Sequence, residues 1–184
     1  KYDSRWNLQE IKDTLGRTYV LSHDLAGRVE KITYPVIGGS SHSELRVYDA
    51  FGQLQRHVDQ NGRETTFQYD KRGRLTAQSH GAPFNVLVNS SCDGASNLTS
   101  VSDGTATWQY EYDLIGRTTA ANFTAFGSPQ KRINYEYDDS SNPITQEGPD
   151  GETISREYDN LNRLTLVRFS RGGNAVASGS LAYD

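Results

Sequence analysis

The stretch YDKRGRLTAQSHG, residues 69–81, has the composition of an active site. Asp70 could act as a base or hold a cation, Arg74 could bind an oxyanion, and His80 could move protons near neutral pH. Chemistry of this kind needs such groups once, in unlike environments, on elements that aim them at one point. The elements that carry Asp70 are therefore decisive, and they place it in a repeat.

The Tyr-Asp pair recurs at 2–3, 48–49, 69–70, 112–113, 137–138, 158–159 and 183–184, with His23-Asp24 and Cys92-Asp93 filling the gaps. Successive pairs are 21, 25, 21, 23, 20, 25, 21 and 25 residues apart, and the aspartate never varies. Three residues after it comes a slot holding Gly27, Gly52, Gly73, Gly116 or Asn162, and elsewhere Trp6, Ser96 or Ser141. The next position alternates between amide and arginine: Asn7, Arg28, Gln53, Arg74, Asn97, Arg117, Asn142, Arg163. Then follows an apolar residue in most copies, with Thr118 and Pro143 as exceptions. The unit is thus a double repeat of about 45 residues, and fixed-period self-similarity of that size marks a repeat architecture. The whole chain, 1–184, is expected to be a single array of about four such double repeats, starting near 2, 48, 92 and 137, with no separate second domain.

Each piece has a physical reading. Asp followed three residues later by Gly suits a type I turn, in which the carboxylate at the first position accepts from nearby backbone N–H groups. Gly, Asn or Ser at the fourth position suits a left-handed backbone. The turn expectation covers Asp3, Asp24, Asp49, Asp70, Asp93, Asp113, Asp138 and Asp159 with Gly27, Gly52, Gly73 and Gly116. Before the turns, apolar residues alternate with period two, as in Trp108, Tyr110, Tyr112 and in Ile133, Tyr135, Tyr137. That is a strand with one ring-lined face, to which the repeat tyrosines Tyr2, Tyr48, Tyr69, Tyr112, Tyr137 and Tyr158 belong. Segments such as LTAQS and VEKITY read as return strands. Compact turn signals (DTLG at 13–16, QNG at 60–62, DG at 103–104, PDG at 149–151) divide the short intervals, and looser ones such as PVIGGSS and HGAPF divide the long ones. The expected fold is all-β, an antiparallel meander of β-hairpins with roughly sixteen strands. The turns at Trp6, Ser96 and Ser141 are expected to be less regular than the glycine copies.

Bulk composition narrows the function. A net charge of -4 argues against a general nucleic-acid binder, which needs a basic face. No apolar run approaches the 18 or so residues of a membrane helix. Eleven Tyr and two Trp supply apolar area that the modest Leu, Ile, Val and Phe content lacks. No signal peptide is visible, and KYDSRW reads as a start internal to a longer protein. The four histidines, 23, 42, 57 and 80, have no metal-ligand spacing, and Cys92 sits in a tyrosine slot without an activating partner in view. The sequons at Asn89, Asn97 and Asn122 bear on the chain only in a eukaryotic secretory setting.

YDAFGQL at 48–54, YDKRGRLT at 69–76, YDLIGRT at 112–118 and YDNLNRLT at 158–165 resemble the repeats of Rhs/YD-repeat proteins, and the resemblance runs the length of the chain. That family includes bacterial polymorphic toxins, shell components of insecticidal Tc toxins, wall-associated proteins and teneurins. The resemblance implies a β-ribbon that coils as a spiral into part of a hollow shell, in the toxins around a C-terminal toxic domain. The family's C-terminal core segment with its autoproteolytic aspartates has no counterpart in the sequence.

The expected function is accordingly structural and non-enzymatic, with no catalytic residue, metal or cofactor. The expected partners are the rest of a parent chain and an enclosed passenger polypeptide, in a secreted or cell-surface protein of bacterial type. Open strand edges also suggest edge-to-edge self-association. The alternative is a carbohydrate-binding or adhesion module, for which Arg28, Arg74, Arg117 and Arg163, all at one phase, would form a ligand stripe. Against that stands stacking of these arginines on tyrosine rings or pairing with the repeat aspartates.

Overall fold

The computed structural model describes residues 1–183; Asp184, the aspartate of the ninth repeat, lies outside them. All sixteen elements are strands. The chain divides into two compact units, Lys1–Asn89 and Ser90–Asp184.

The first unit holds β1 (Glu10–Lys12), β2 (Thr18–His23), β3 (Val29–Thr33), β4 (Ser43–Tyr48), β5 (Leu54–Val58), β6 (Glu64–Tyr69) and β7 (Leu75–His80). β8 (Val86–Cys92) starts there and runs through the boundary. The second unit holds β9 (Leu98–Ser102), β10 (Ala106–Tyr112), β11 (Thr118–Ala125), β12 (Lys131–Tyr137), β13 (Pro143–Glu147), β14 (Glu152–Tyr158), β15 (Leu164–Arg171) and β16 (Asn174–Ser180). In each unit every strand pairs antiparallel with its neighbour in sequence, so the expected hairpin meander is the observed fold.

Register sorts the side chains, because residues directly opposed on antiparallel strands share a face. In the second unit one face carries Val101, Trp108 and Phe123 in one row and Tyr110, Ala121 and Ile133 in the next. Tyr135, Gln146, Ile154 and Phe169 continue it. Trp108 packs on Phe123 with ring centroids 4.6 Å apart and stacks on Tyr110 at 6.4 Å. The opposite face is polar, with Glu111, Asn122, Arg132, Asn134 and Glu147 tied by hydrogen bonds. The alternation read from the sequence is therefore the alternation of the sheet.

What is missing is a second layer. Among the described residues only Ala77, Ala120, Ala121 and Asn122 are buried. The accessible surface is 12519 Å², against the roughly 8,900 Å² expected of a compact monomer of this mass. A single-layer sheet has little core to hold it flat or in register. Its hairpins must be fixed by something else, and the Tyr-Asp repeat supplies it.

Candidate functional site

Asp24 shows how the repeat works. Its Oδ1 accepts the backbone N–H of Ala26 at 2.9 Å and of Arg28 at 3.0 Å, while Oδ2 accepts the Arg28 Nε–H at 2.7 Å. The backbone closes the same turn, with Gly27 N–H donating to the Asp24 carbonyl at 3.0 Å and Asp24 N–H to the Arg28 carbonyl at 2.9 Å. This is a type I turn followed by a left-handed residue, a common three-residue hairpin connection. Asp70, Asp113 and Asp159 repeat the pattern with Arg74, Arg117 and Arg163. Asp3, Asp93 and Asp138 do so with the side-chain amides of Asn7, Asn97 and Asn142. Asp49 keeps the backbone bonds to Phe51 and Gln53. An extra residue on the return strand then bulges after the turn: Tyr69 pairs with Leu75 but Gln68 with Ala77.

Hydrogen bonds to the ionised form hold the carboxyls of Asp3, Asp24, Asp70, Asp93, Asp113, Asp138 and Asp159 below the ordinary aspartate range. At Asp24 and Asp70 the arginine side chain contributes most, followed by its backbone N–H. At Asp3, Asp93 and Asp138 the asparagine amide leads. At Asp113 loss of solvation is the largest influence and opposes the shift, but the bonds from Arg117 and Ile115 together outweigh it.

The slot after the turn has φ between +79° and +88° at Gly27, Gly52, Gly73 and Gly116. Trp6, Ser96, Ser141 and Asn162 occupy it at +65°, +75°, +67° and +60°. The turns at Trp6, Ser96 and Ser141 keep the same closing bonds, so the expectation that they would be irregular is corrected. The aspartate and the backbone pairing on both sides over-determine the turn, and the non-glycine residue takes the strained conformation.

Small size at this slot has a second cause. A Cβ on Gly73 would lie 2.9 Å from Gln53 Nε2, on Gly52 3.0 Å from Arg28 Nη1, and on Gly27 3.1 Å from Asn7 Oδ1. The amide or arginine of one turn thus lies against the fourth residue of the next. Arg117 Nη1 donates to Ser141 Oγ and to the Asp138 carbonyl, both at 3.2 Å, and Asn142 Nδ2 donates to Asn162 Oδ1 at 3.0 Å. Along each unit the turns form a ladder.

The tyrosines bind the rungs from the strand side. The hydroxyl of Tyr48 donates to the Val29 carbonyl at 3.1 Å, Tyr69 to Leu54 at 3.0 Å, Tyr112 to Leu98 at 2.7 Å, and Tyr137 to Thr118 at 2.9 Å. Tyr158 reaches Pro143 and Tyr183 reaches Leu164 in the same way. Each acceptor stands five residues after the aspartate of the preceding turn. Burial pushes the phenols of Tyr69 and Tyr112 up, so they remain donors. Three of the repeat arginines stack on these rings, Arg28 over Tyr48 at 4.5 Å, Arg117 over Tyr137 at 4.8 Å and Arg163 over Tyr183 at 4.5 Å. Arg74 pairs with Asp70 at 2.7 Å. Each of the four guanidiniums is therefore bound to the aspartate of its own turn.

Tyr2 makes only an isolated bridge to Leu8, and Tyr2 itself is exposed. His23 is half-buried, and Cys92 is an unbridged, half-buried thiol. Asn97 and Asn122 spend their amides on Asp93 and Glu111. Among the described residues no cluster of three or more His, Cys, Asp or Glu could hold a metal ion, and no helix is long and apolar enough to cross a membrane.

Two turns of the same chemistry escaped the sequence reading as Asp-centred sites. Asp13 and Asp59, at the other ends of the hairpins, accept from Leu15 and Arg17 and from Asn61 and Arg63. They lack a preceding tyrosine, but the Asp-x-x-Gly-Arg spelling was there to find.

Fold and ladder together define a single-layer YD-repeat β-ribbon. Residues 48–82 match the family model described as RHS Repeat. No curated protein matches the chain. Among solved structures, the crystal structure of TcdB2-TccC3-TEV superposes with a TM-score of 0.82 at 15% identity, covering 100% of this chain and 11% of that one. The Photorhabdus luminescens Tc holotoxin pore gives 0.66 at 14% identity, covering 95% of this chain and 12% of that one. At such identities the likeness is one of fold, and this chain spans about a ninth of those chains' length. The Rhs/YD-repeat resemblance read from the sequence is borne out.

Proposed function

We propose that this chain is a wall segment of a YD-repeat shell, structural rather than catalytic, which encloses a passenger polypeptide within a larger secreted or cell-surface protein. The observation that carries this reading is the single-layer sheet held by its own turn ladder. An enzyme needs a constellation of unlike groups, whereas among the described residues every repeat aspartate is spent on the same turn. A wall needs a sheet that stands without a core and offers two different faces. The second unit has both properties, one face lined by Trp108, Tyr110 and Phe123 and the other by Glu111, Asn122 and Arg132.

The test is limited proteolysis of the whole protein that carries this chain. A shell hides its passenger, so the passenger survives protease concentrations that degrade it when produced alone. Opening the wall with Asp113→Ala and Asp159→Ala together exposes it. Equal digestion of the passenger in the intact protein and alone would refute the enclosure.

A further inference from the structure

A repeat turn needs its aspartate, the positive-φ slot and the amide or arginine that follows, while its two central positions contribute only backbone. Several copies place small or polar residues at those centres, such as Gly94 and Ala95 or Asp139 and Ser140, as turns normally do. In the first unit the centres hold Leu25 and Phe51, which are 90% and 91% exposed. The first turn goes further. Its positive-φ slot carries Trp6 at +65° and 85% exposed, where glycine would sit without strain. The ladder has no use for a bulky apolar side chain held in water at three successive turns.

A meander turns at alternate edges, so the turns at Asp3, Asp24, Asp49 and Asp70 share one edge of the first unit. Successive turns lie against one another there, since a Cβ on Gly27, Gly52 or Gly73 would meet Asn7, Arg28 or Gln53. Two strand spacings, roughly 10 Å, separate each from the next. Trp6, Leu25 and Phe51 thus stand in a row, and the fourth turn ends it with Lys71 and Arg72. The ionisable residues at the centres of these four turns are Arg5, Lys71 and Arg72, all cations. The repeat carboxylates point the other way, accepting backbone N–H groups of their own turns. Asp70, beside Lys71, is also paired with Arg74. Between the third and fourth turns a depression of about 250 Å³ is bordered by Phe51 and Lys71, with Gln53, Asp70 and Gly73. Ring and ammonium therefore face one space.

Exposed Trp, Leu and Phe beside cations have the chemistry of a lipid–water interface. Aromatic rings settle at headgroup depth, and Lys and Arg lay their stems on apolar surface with the charge among the phosphates. Each cation near an anionic leaflet strengthens binding about fivefold. The second unit has exposed turn centres at Leu114, Ile115 and Leu161, but the ionisable residue at its centres is an acid, Asp139. We propose that the Asp-turn edge of the first unit docks on the surface of an anionic phospholipid bilayer, with Trp6, Leu25 and Phe51 in the headgroup layer. The site lies at turn tips and stands whether or not the chain encloses a passenger.

The test is cosedimentation of the chain with vesicles of phosphatidylcholine, alone or mixed with phosphatidylglycerol, with tryptophan emission recorded. The mixed vesicles bind at least about tenfold more tightly, and emission shifts to the blue as Trp6 leaves water. Lys71→Glu, which reverses a charge, weakens that binding at least about tenfold. Phe51→Ser weakens it at unchanged Tm, whereas Leu114→Ser leaves it as it was. Trp6→Gly weakens it while Tm holds or rises, because glycine relieves the positive φ; a tryptophan with a purely structural role would give the opposite pair of results. Should Phe51→Ser or Trp6→Gly unfold, Lys71→Glu carries the same reading. The proposal is overturned if both vesicle types bind equally, if neither binds, or if a folded variant at Trp6, Phe51 or Lys71 binds as before. It is equally overturned if vesicles fail to bind and Phe51→Ser instead abolishes self-association in light scattering, since the edge then meets another ribbon.

Discussion

His23 stands in a tyrosine slot, and the ladder makes a definite statement about replacing it. At the other slots the tyrosine hydroxyl donates to the carbonyl five residues after the preceding aspartate, as Tyr48 does to Val29 at 3.1 Å. For position 23 that carbonyl belongs to Leu8, five residues after Asp3. His23→Tyr therefore adds one hydroxyl-to-carbonyl bond at a half-buried position already shaped for a ring. A neutral hydrogen bond contributes about 1 kcal/mol net, which corresponds to a rise in Tm of about 2–4 °C for a chain of this size. The reverse change, Tyr137→Phe, deletes the 2.9 Å bond to the Thr118 carbonyl while leaving the ring under Arg117, and should cost a similar amount. Both are read by urea and thermal unfolding, with hydrogen exchange reporting whether the effect stays near the altered turn. Most substitutions destabilise, so a gain at position 23 is a demanding expectation. If His23→Tyr lowers Tm while Tyr137→Phe also lowers it, the tyrosine acts through packing specific to each site, and the idea of an interchangeable rung fails.

Acid should loosen the ladder. The turn carboxyls of Asp24 and Asp70 titrate below their unfolded value, so their contribution is fully present above the ordinary aspartate pKa of about 3.9 and is lost as pH falls through the lower folded value. Unfolding midpoints measured from pH 7 down to 2 should stay level and then drop below about pH 4, and a drop centred near pH 6 would point to the histidines instead. Gly73→Ala should destabilise by about 1–2 kcal/mol from the left-handed backbone; its Cβ would meet Gln53 Nε2 at 2.9 Å, but that is the end of a flexible side chain that can swing aside. Adding Gln53→Ala to that variant should therefore recover little in urea melts; a large recovery would mean that the contact, not backbone strain, sets the cost. β16 is exposed along its length and, among the described residues, pairs only with β15. Light scattering should therefore show association that rises with concentration and is suppressed by Ala177→Pro, whereas a monomer at every concentration would remove the edge from consideration.

The repeat made much of this readable in advance. The aspartate phase gives the turns, the slot three residues on gives the positive φ, and period two gives the ring-lined face. What could not be read is how turns touch one another. Tyr112 bonds to Leu98, 14 residues back, and Arg117 reaches Ser141, 24 residues on. Those meetings depend on strand register, and register is shifted at the repeat hairpins by a bulge that alternation alone does not reveal. Stacking on tyrosine and pairing with aspartate look like alternatives for the arginines in the sequence, yet Arg28 does both at once, bound to Asp24 and lying over Tyr48. The turns at 13–16 and 60–62 are legible as turns, but without a tyrosine before Asp13 and Asp59 nothing in the repeat marks their carboxylates as turn acceptors, whereas the turn itself needs only the carboxylate and the positive-φ residue. His57 and His80 have no metal-ligand spacing along the chain, and only the strand pairing sets them on either side of Thr65.

A sheet without a core raises the question of where its cooperativity comes from. In a two-layer domain a buried residue touches many others and couples distant elements. Within each unit neighbouring turns meet one another: Gln53 lies against Gly73, and Asn142 binds Asn162. Stability is then close to a sum of turn terms and nearest-neighbour terms, as in other repeat arrays. Such a design tolerates local departures, since a defective rung weakens two contacts rather than the whole. That tolerance explains how histidine, cysteine, tryptophan and serine can enter repeat slots while the turns persist. It also frees the strand faces, whose side chains have no second layer to fit. A ribbon of this kind can therefore vary one face from aromatic at Trp108 and Tyr110 to charged at Glu44 and Arg46 without losing its backbone. The residues that hold the structure are in the turns, and those that can meet a passenger or a ligand are on the faces between them.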